Sequence, residues 1–198
     1  MTMEIRIGLE AGHKPDLIQL FCATFSEVIV PVFGSAVRCQ QLLKQSLATD
    51  RILSAVSEGR FIGFAGLHFS GREWFNPDLG SLIQAMRWGT FRTVAVGIVL
   101  FERPKSDVLH LDTLAVHPDL RGRGVGTQLI AGVEALARAE GKRQVTLDAE
   151  DINPRAKQLY KRLGYGTDRF KKLPWPWSNE FAFSGSYRMS KDLQTSPR

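Results

Sequence analysis

The sequence reads Arg121-Gly122-Arg123-Gly124-Val125-Gly126-Thr127 at the junction of a predicted strand and a predicted helix. The alternate glycines let backbone N–H groups converge on a ligand without obstruction from side chains. The helix that follows adds unpaired N–H donors and a partial positive charge at its first turn. The two arginines add fixed positive charge. This segment, the phosphate cradle, therefore predicts a diphosphate site rather than a turn that only connects two elements.

Two other phosphate-binding motifs fit the cradle less well. A P-loop needs a lysine before the serine or threonine that opens its helix, but here Gly126 precedes Thr127 directly. A dinucleotide fingerprint spaces its glycines as G-x-G-x-x-G, whereas the cradle has G-x-G-x-G. Asp148, near the end of the next predicted strand, stands where such a fold places a ribose-binding acid. Only 50 residues follow Asp148, too few for a doubly wound sheet, so a dinucleotide-dependent oxidoreductase is the weaker alternative.

The strand predicted for residues 107–116 changes phase in its middle. Leu109 and Leu111 are apolar at odd positions, whereas Leu114 and Val116 are apolar at even positions. A period of two that shifts by one residue indicates a β-bulge, here near Asp112 and Thr113. A bulge leaves N–H and C=O groups free to bond an amide-bearing ligand such as a pantetheine arm. A simple distortion at a strand end is the competing interpretation.

The rest of the chain alternates between strand and helix periodicity. Strands are predicted at 3–9, 51–57, 61–69, 144–149 and 185–191, with a hairpin turn at Glu58-Gly59. Helices are predicted at 15–30, 35–48, 125–140 and 154–163, and the apolar segment 70–106 predicts one or two more. This order indicates an α/β layer arrangement. The length fits one domain, residues 1–198, with residues 70–106 as a helical insertion.

Composition narrows the classes of ligand. The net charge is +6, and the basic excess lies in residues 101–198, which favours a polyanionic ligand there. The basic residues mostly stand singly, which argues against a nucleic-acid surface. Cys22 and Cys39 cannot build a disulfide framework, and no Cys/His cluster has metal-ligand spacing, so no metal is expected. The start lacks the apolar core of a signal peptide and no apolar run is long enough for a membrane span, so we expect a soluble, cytoplasmic protein.

Three motifs in this order resemble the GNAT superfamily of N-acetyltransferases. They are Leu114-Ala115-Val116-His117-Pro118, the phosphate cradle, and Asn153-Pro154-Arg155-Ala156 followed by Leu159-Tyr160 and Leu163-Gly164-Tyr165. The likeness is close over residues 107–165 and rests on element order alone over residues 3–69. The resemblance implies an α/β (α+β) fold with a central mixed, mostly antiparallel sheet of about seven strands. That sheet is splayed at the bulge and flanked by helices.

The same resemblance implies that acetyl-CoA is a co-substrate and lies in the splayed part of the sheet. Leu114 and Val116 would offer main-chain bonds to its pantetheine arm, with Ala115 between them. Asn153 and Tyr160 would lie near the thioester. The pyrophosphate would be held by the cradle residues Arg121, Gly122, Arg123, Gly124, Val125, Gly126 and Thr127.

Acetyl transfer to an amine requires a neutral amine and a proton for the leaving thiolate. A lysine amine has a reference pKa of about 10.4, so a base or a water relay helps. Tyr160 is the candidate acid, since the resemblance matches it to a tyrosine with that role. Asp148 resembles the base of ribosomal-protein N-terminal acetyltransferases in position, and Asp112 at the bulge is the other candidate base. Glu150 and His110 are weaker candidates.

The acceptor is expected to be a primary amine of a small molecule or of a protein, and a homodimer is a further expectation. A CoA-binding module without catalysis, with a regulatory or interaction role, is the second functional class. Trp74, Trp88 and Phe91 of the insertion are candidates for a wall over the acceptor site, although packing on the core or on a dimer partner is favoured for them. The aromatic loop 170–183 would line the acceptor pocket or cover the core.

Overall fold

The computed structural model describes residues 3–33, 35–78, 80–81, 104–173 and 181–193. Within them, one eight-stranded sheet has the order β1-β2-β3-β5-β6-β8-β7, with β4 paired to β3 at the side. The strands are β1 Met3–Ile7, β2 Ile52–Ser57, β3 Arg60–Phe69, β4 Arg72–Glu73, β5 Val108–Val116, β6 Gln144–Glu150, β7 Gly166–Lys172 and β8 Gly185–Asp192.

Only the β5–β6 pair of this described sheet is parallel. The prediction of a mixed, mostly antiparallel sheet is therefore confirmed. A doubly wound sheet consists mainly of parallel strands, so the dinucleotide-binding fold considered above is wrong for this chain.

The helices cover both faces of the sheet. They are α1 Lys14–Thr24, α2 Ser26–Phe33, α3 Ala36–Ser46, α4 Val125–Ala139 and α5 Pro154–Arg162. The prediction of one continuous helix over residues 15–30 is wrong, because the chain leaves helical geometry at Phe25, where φ is −111°. This break lets α1 contact β3 and β5 while α2 packs on α3. The Phe25 ring stays 5.0 Å from the Phe21 ring across the break.

Two clusters of buried side chains lie on opposite faces of the sheet. The first cluster includes Leu129 and Val133 of α4, which pack against Leu109 and Leu111 of β5. The second includes residues of α1 and α3 packed around Phe64 of β3. The helical apolar stripes in the sequence predict these buried faces because each stripe needs a sheet to cover it. Cys22 and Cys39 are both buried and free in the second cluster.

Strand β7 is one difference between the structure and the elements predicted from the sequence. Strand β7 was not predicted, because its residues, Gly166 to Lys172, are almost all exposed and polar and show no alternation. Its position at the edge of the sheet explains this pattern, since it pairs only with β8 among the described strands.

In the predicted insertion 70–106, Arg72–Glu73 form β4, whereas residue 79 and residues 82–103, with Trp88 and Phe91, lie outside the described residues. Trp74 is 4% exposed and packs on the core, as favoured above. Residues 174–180 of the aromatic loop are also outside the described part.

The described residues contain neither a long apolar helix nor a cluster of metal-binding side chains. None of the helices there is both long and apolar enough to cross a membrane. No group of histidine, cysteine, aspartate and glutamate side chains in these ranges has the arrangement of a metal site.

Candidate active site

The sheet opens between its two central strands. The parallel pairing of β5 with β6 runs from Val108 with Gln144 to Leu111 with Leu147 and extends no further. Both strands continue past this point, β5 to Val116 and β6 to Glu150. A wedge-shaped cleft therefore opens beyond Leu111 and Leu147, as predicted.

A β-bulge at Asp112 marks the mouth of the cleft. In the pairing of β5 with β3, Leu111 lies opposite Leu67 and Thr113 lies opposite Gly66, which leaves Asp112 without a partner on β3. The bulge predicted from the phase change is therefore confirmed. Gly66 is required at this position, because a Cβ atom there would lie 2.6 Å from the Trp74 ring.

The main chain of the bulged strand faces the cleft. The N–H of His117 donates to the carbonyl of Ile62 on β3 at 2.9 Å. Since alternate residues of a strand direct their backbone groups to opposite neighbours, those of Leu114 and Val116 point toward the gap left by β6. The Val116 carbonyl accepts a bond from Nε of Arg121 at 3.2 Å. Arg121 thus links the cradle to β5 as well as adding charge.

The phosphate cradle lies exposed at one end of this cleft. Gly122 has a φ of 75° and Gly124, which caps the start of α4, has a φ of 83°, a conformation that side chains rarely adopt. A Cβ atom built at Gly126 would lie 3.5 Å from Cδ2 of Leu159 and 4.0 Å from Cδ2 of Leu114. The first turn of α4 therefore faces both β5 and α5 across a narrow space that a larger side chain would fill.

Helix α5 forms the other wall of the cleft. Tyr160 is 6% exposed, and its ring lies 6.1 Å from that of Tyr165 in an edge-to-face contact. Burial, with the negative charge of Glu150 as a second cause, raises the pKa of Tyr160 to about 12. Its phenol therefore keeps its proton at neutral pH. Asn153 is exposed and caps α5, because its side-chain oxygen accepts the N–H of Ala156 at 3.1 Å.

The two candidate bases share one buried histidine. Nε2 of His110 lies 3.4 Å from Oδ1 of Asp112 and 3.7 Å from Oδ2 of Asp148. Its other ring nitrogen, Nδ1, lies 2.9 Å from the hydroxyl of Thr146. Nε of Arg188 donates to Oδ1 of Asp148 at 2.8 Å. The structure therefore joins the residues that the sequence analysis kept as alternatives into one polar cluster.

The cluster holds Asp112 and His110 in unusual protonation states. Burial, reinforced by the negative charges of Glu73 and Asp148, raises the pKa of Asp112 to about 8. The main chain of Asp112 is exposed to solvent at the bulge, but its side chain is only 19% exposed. Burial, with the positive charge of Arg188 next, lowers the pKa of His110 to about 3. Asp112 thus titrates near neutrality, whereas the imidazole stays uncharged.

Two residues of the cluster, Arg188 and Thr146, were not identified from the sequence alone. Arg188 and Thr146 come from β8 and β6, and only strand register brings them to the cluster, with Asp148 opposite Arg188 and His110 opposite Thr146. The alternation of Thr146 and Asp148 with buried apolar residues is the one local signal that they share a face. Glu150 lies further along β6, and its pKa is raised by burial and then by the charge of Glu27.

Comparisons with known proteins agree with this geometry. The model of the family described as "Acetyltransferase (GNAT) family" matches residues 15–165. An uncharacterized N-acetyltransferase of Methanocaldococcus jannaschii is 41% identical over 61 residues, which are 31% of this chain and 27% of that protein. Thialysine N-epsilon-acetyltransferase of Bos taurus is 39% identical over 56 residues, 28% of this chain and 33% of that protein. The aligned segments thus span a third or less of these relatives.

A solved structure shows the likeness over the whole length. It is a putative acetyltransferase from Salmonella typhimurium, determined with its cofactor acetyl-CoA. The two chains superpose with a TM-score of 0.60 at 13% identity, and the match covers 100% of this chain and 98% of that one. At this level of identity the match shows a shared fold.

Proposed function

Because this chain belongs to the GNAT acetyltransferase family, we propose that it moves an acetyl group from acetyl-CoA to a primary amine by direct attack in a ternary complex. One observation supports this most strongly. The cleft between β5 and β6 has an anion cradle at one end, and on its walls it has a protonated phenol and a carboxyl that titrates near neutrality. A donor that carries a diphosphate at one end and a thioester at the other fits such a cleft.

The backbone is what holds the donor in this proposal. The first N–H groups of α4 and the glycine-rich segment before it bind the pyrophosphate, helped by the charge of Arg123. The main-chain groups of Leu114 and the N–H of Val116 bond the amides of the pantetheine arm, while the Val116 carbonyl stays bonded to Arg121. Acetyl-CoA supplies the thioester carbonyl that the amine attacks. An N–H of the bulged strand near Leu114 donates to the carbonyl oxygen as charge develops there.

Tyr160 is the proposed general acid. A phenol whose pKa is raised to about 12 remains protonated over the whole working pH range. It can therefore give its proton to the departing thiolate. The charge of Glu150 helps to hold that proton in place until it is needed.

Asp112 is the proposed general base, in preference to Asp148. Asp148 already accepts a hydrogen bond from the guanidinium of Arg188 at 2.8 Å, which occupies one of its two carboxylate oxygens. Among the described residues, Asp112 accepts no hydrogen bond from an arginine or lysine, and its pKa of about 8 suits removal of a proton from an ammonium group. The carboxylates of Glu73, Asp148 and Asp112 also favour the approach of a cation.

These features support an aliphatic amine as the acceptor. The relative from Bos taurus is named for the ε-amine of thialysine, which places a small aliphatic amine first among the acceptors to test. A protein lysine or a protein N-terminus forms the second group of candidates.

Two measurements test the proposed function. Isothermal titration should show saturable binding of acetyl-CoA, and a thiol-release assay over a panel of amines should show turnover that depends on both substrates. Binding without thiol release from any amine would favour the non-catalytic CoA-binding module. No binding of acetyl-CoA at millimolar concentration would remove the donor, and with it the proposed roles of Tyr160 and Asp112.

A further inference from the structure

His110 and Thr146 have no part in the transfer as described, yet His110 contacts the proposed base and Thr146 contacts His110. His110 is 5% exposed and Thr146 is 7% exposed, so both side chains are shielded from solvent. Nδ1 of the imidazole lies 2.9 Å from the threonine hydroxyl, and Nε2 lies 3.4 Å from the carboxylate of Asp112. The three groups form a line from β6 through His110 to the bulge.

The hydroxyl is the adaptable member of this line. A threonine O–H can rotate to donate or to accept, and a neutral imidazole can carry its one proton on either nitrogen. When the hydroxyl donates to Nδ1, the proton is on Nε2 and faces an ionised Asp112. When the hydroxyl accepts from Nδ1–H, Nε2 is free to accept from a protonated Asp112. Neither arrangement leaves a buried ring nitrogen of His110 without a partner.

We propose that His110 and Thr146 are a positioning pair that bonds Asp112 in both of its protonation states, an inference that rests on the proposed acetyl transfer for its catalytic meaning. The separation of 3.4 Å between Nε2 and Asp112 is long for a hydrogen bond, and such contacts often shorten when substrates bind. Asp148 is the less suitable partner, because it lies 3.7 Å from Nε2 and is already bonded to Arg188.

The charged groups around the pair decide which member holds the proton. Asp112 faces the negative charges of Glu73 and Asp148 and the positive charge of Arg188. His110 faces Arg188 as well, together with His68 on β3 and Lys171 on β7. Burial and the positive charges of Arg188 and Lys171 disfavour an imidazolium. His110 therefore does not take the amine proton itself, and its effect on the reaction passes through Asp112.

Removal of the imidazole should raise the proton affinity of Asp112. A hydrogen bond to an ionised carboxylate is about twice as strong as one to a neutral group. Loss of the bond from His110 therefore destabilises ionised Asp112 more than protonated Asp112. For His110→Phe we expect the titration midpoint of Asp112 to rise by about one pH unit, a tenfold change in proton affinity. The acid limb of the plot of kcat/KM against pH should move by the same amount.

A set of matched variants separates positioning from packing. His110→Gln keeps a side-chain donor and acceptor and should shift the midpoint less than His110→Phe does. Thr146→Val has the shape of threonine but lacks the hydroxyl, and it should change the ratio of imidazole tautomers in ¹⁵N spectra of His110. Thr146→Ser keeps the hydroxyl and should leave both the midpoint and the tautomer ratio as they are in the unaltered protein.

The carboxyl titration is best followed by ¹³C spectroscopy of the protein without substrates, with Asp112→Asn to assign the signal. This readout makes the two proposals separable, since a protein that releases no thiol still reports the Asp112 midpoint. An unchanged midpoint in a folded His110→Phe protein would overturn the positioning pair. If His110→Phe does not fold, equal midpoints and tautomer ratios in Thr146→Val and Thr146→Ser would overturn it instead.

Discussion

The two ends of the cleft are built in different ways. At the donor end, the cradle, the start of α4 and the edge of β5 present mainly backbone groups, and these come from one continuous segment of chain. At the acceptor end, the polar cluster presents side chains from β4, β5, β6 and β8. In the proposed function, backbone groups therefore bind the donor, whereas side chains bind the acceptor. If the two ends divide the work in this way, a substitution at one end should affect the binding of one substrate much more than that of the other.

The largest expected effect tests whether the donor end depends on the absence of side chains. Gly126→Leu should raise the KM for acetyl-CoA by at least about 100-fold, or ~2.7 kcal/mol, because the side chain would enter the space between Leu159 and Leu114. Gly126→Ala is the graded control, since a Cβ atom there makes ordinary contacts at 3.5 Å or more. Kinetics at saturating amine measure both. Equal KM values for the two variants would show that donor binding does not use this space.

The next effect concerns the acceptor end. Asp112→Asn should lower kcat/KM by about 100-fold at pH 7.5, because the amine then loses its general base. The KM for acetyl-CoA should change little. Asp107→Asn is the matched control, since that carboxylate lies just before β5 and is 45% exposed. If Asp112→Asn weakened donor binding as much as it slowed turnover, the proposed division of labour between the two ends would be wrong.

The same carboxyl links stability to pH. Its pKa in the folded protein, about 8, lies above the reference value of about 3.9, so the folded state binds this proton more tightly than the unfolded state does. The contribution of Asp112 to stability is therefore greatest below about pH 4 and is lost as the pH rises toward 8. Asp112→Asn should remove this loss, which urea unfolding at pH 5 and pH 8.5 would measure. Activity runs the opposite way and should rise through pH 8.

A smaller effect is expected at Tyr160, which stands between the two ends. Tyr160→Phe should lower kcat by about 10- to 100-fold and leave acetyl-CoA binding within about twofold, because only the proton for the thiolate is lost. Tyr165→Phe removes a buried hydroxyl from the other ring of the same aromatic pair and serves as the control. Equal rates for the two variants would remove Tyr160 from the mechanism.

The donor end of the cleft can be predicted from the sequence much better than the acceptor end. The cradle, the bulge and the helix that begins at Val125 are contiguous, so glycine spacing and a phase change are enough to locate them. The link between His110, Asp148 and Arg188 depends on which residues lie opposite one another on different strands, and no local pattern encodes that register. Strand β7 escaped for a related reason, because an exposed edge strand needs no apolar face.

The smallest effect separates binding from capping at Asn153. The family resemblance assigns this residue to the donor site, but its side-chain oxygen is bonded to the N–H of Ala156 at the start of α5. Loss of such a cap costs about 1 kcal/mol, so Asn153→Ala should lower the melting temperature by about 2–4 °C. Asn153→Asp keeps a capping oxygen and should melt close to the unaltered protein.

If Asn153 serves only α5, neither variant should change the KM for acetyl-CoA. If both variants raise that KM while only the alanine variant loses stability, the amide itself contacts the donor. A side chain would then take part in what is otherwise a backbone site.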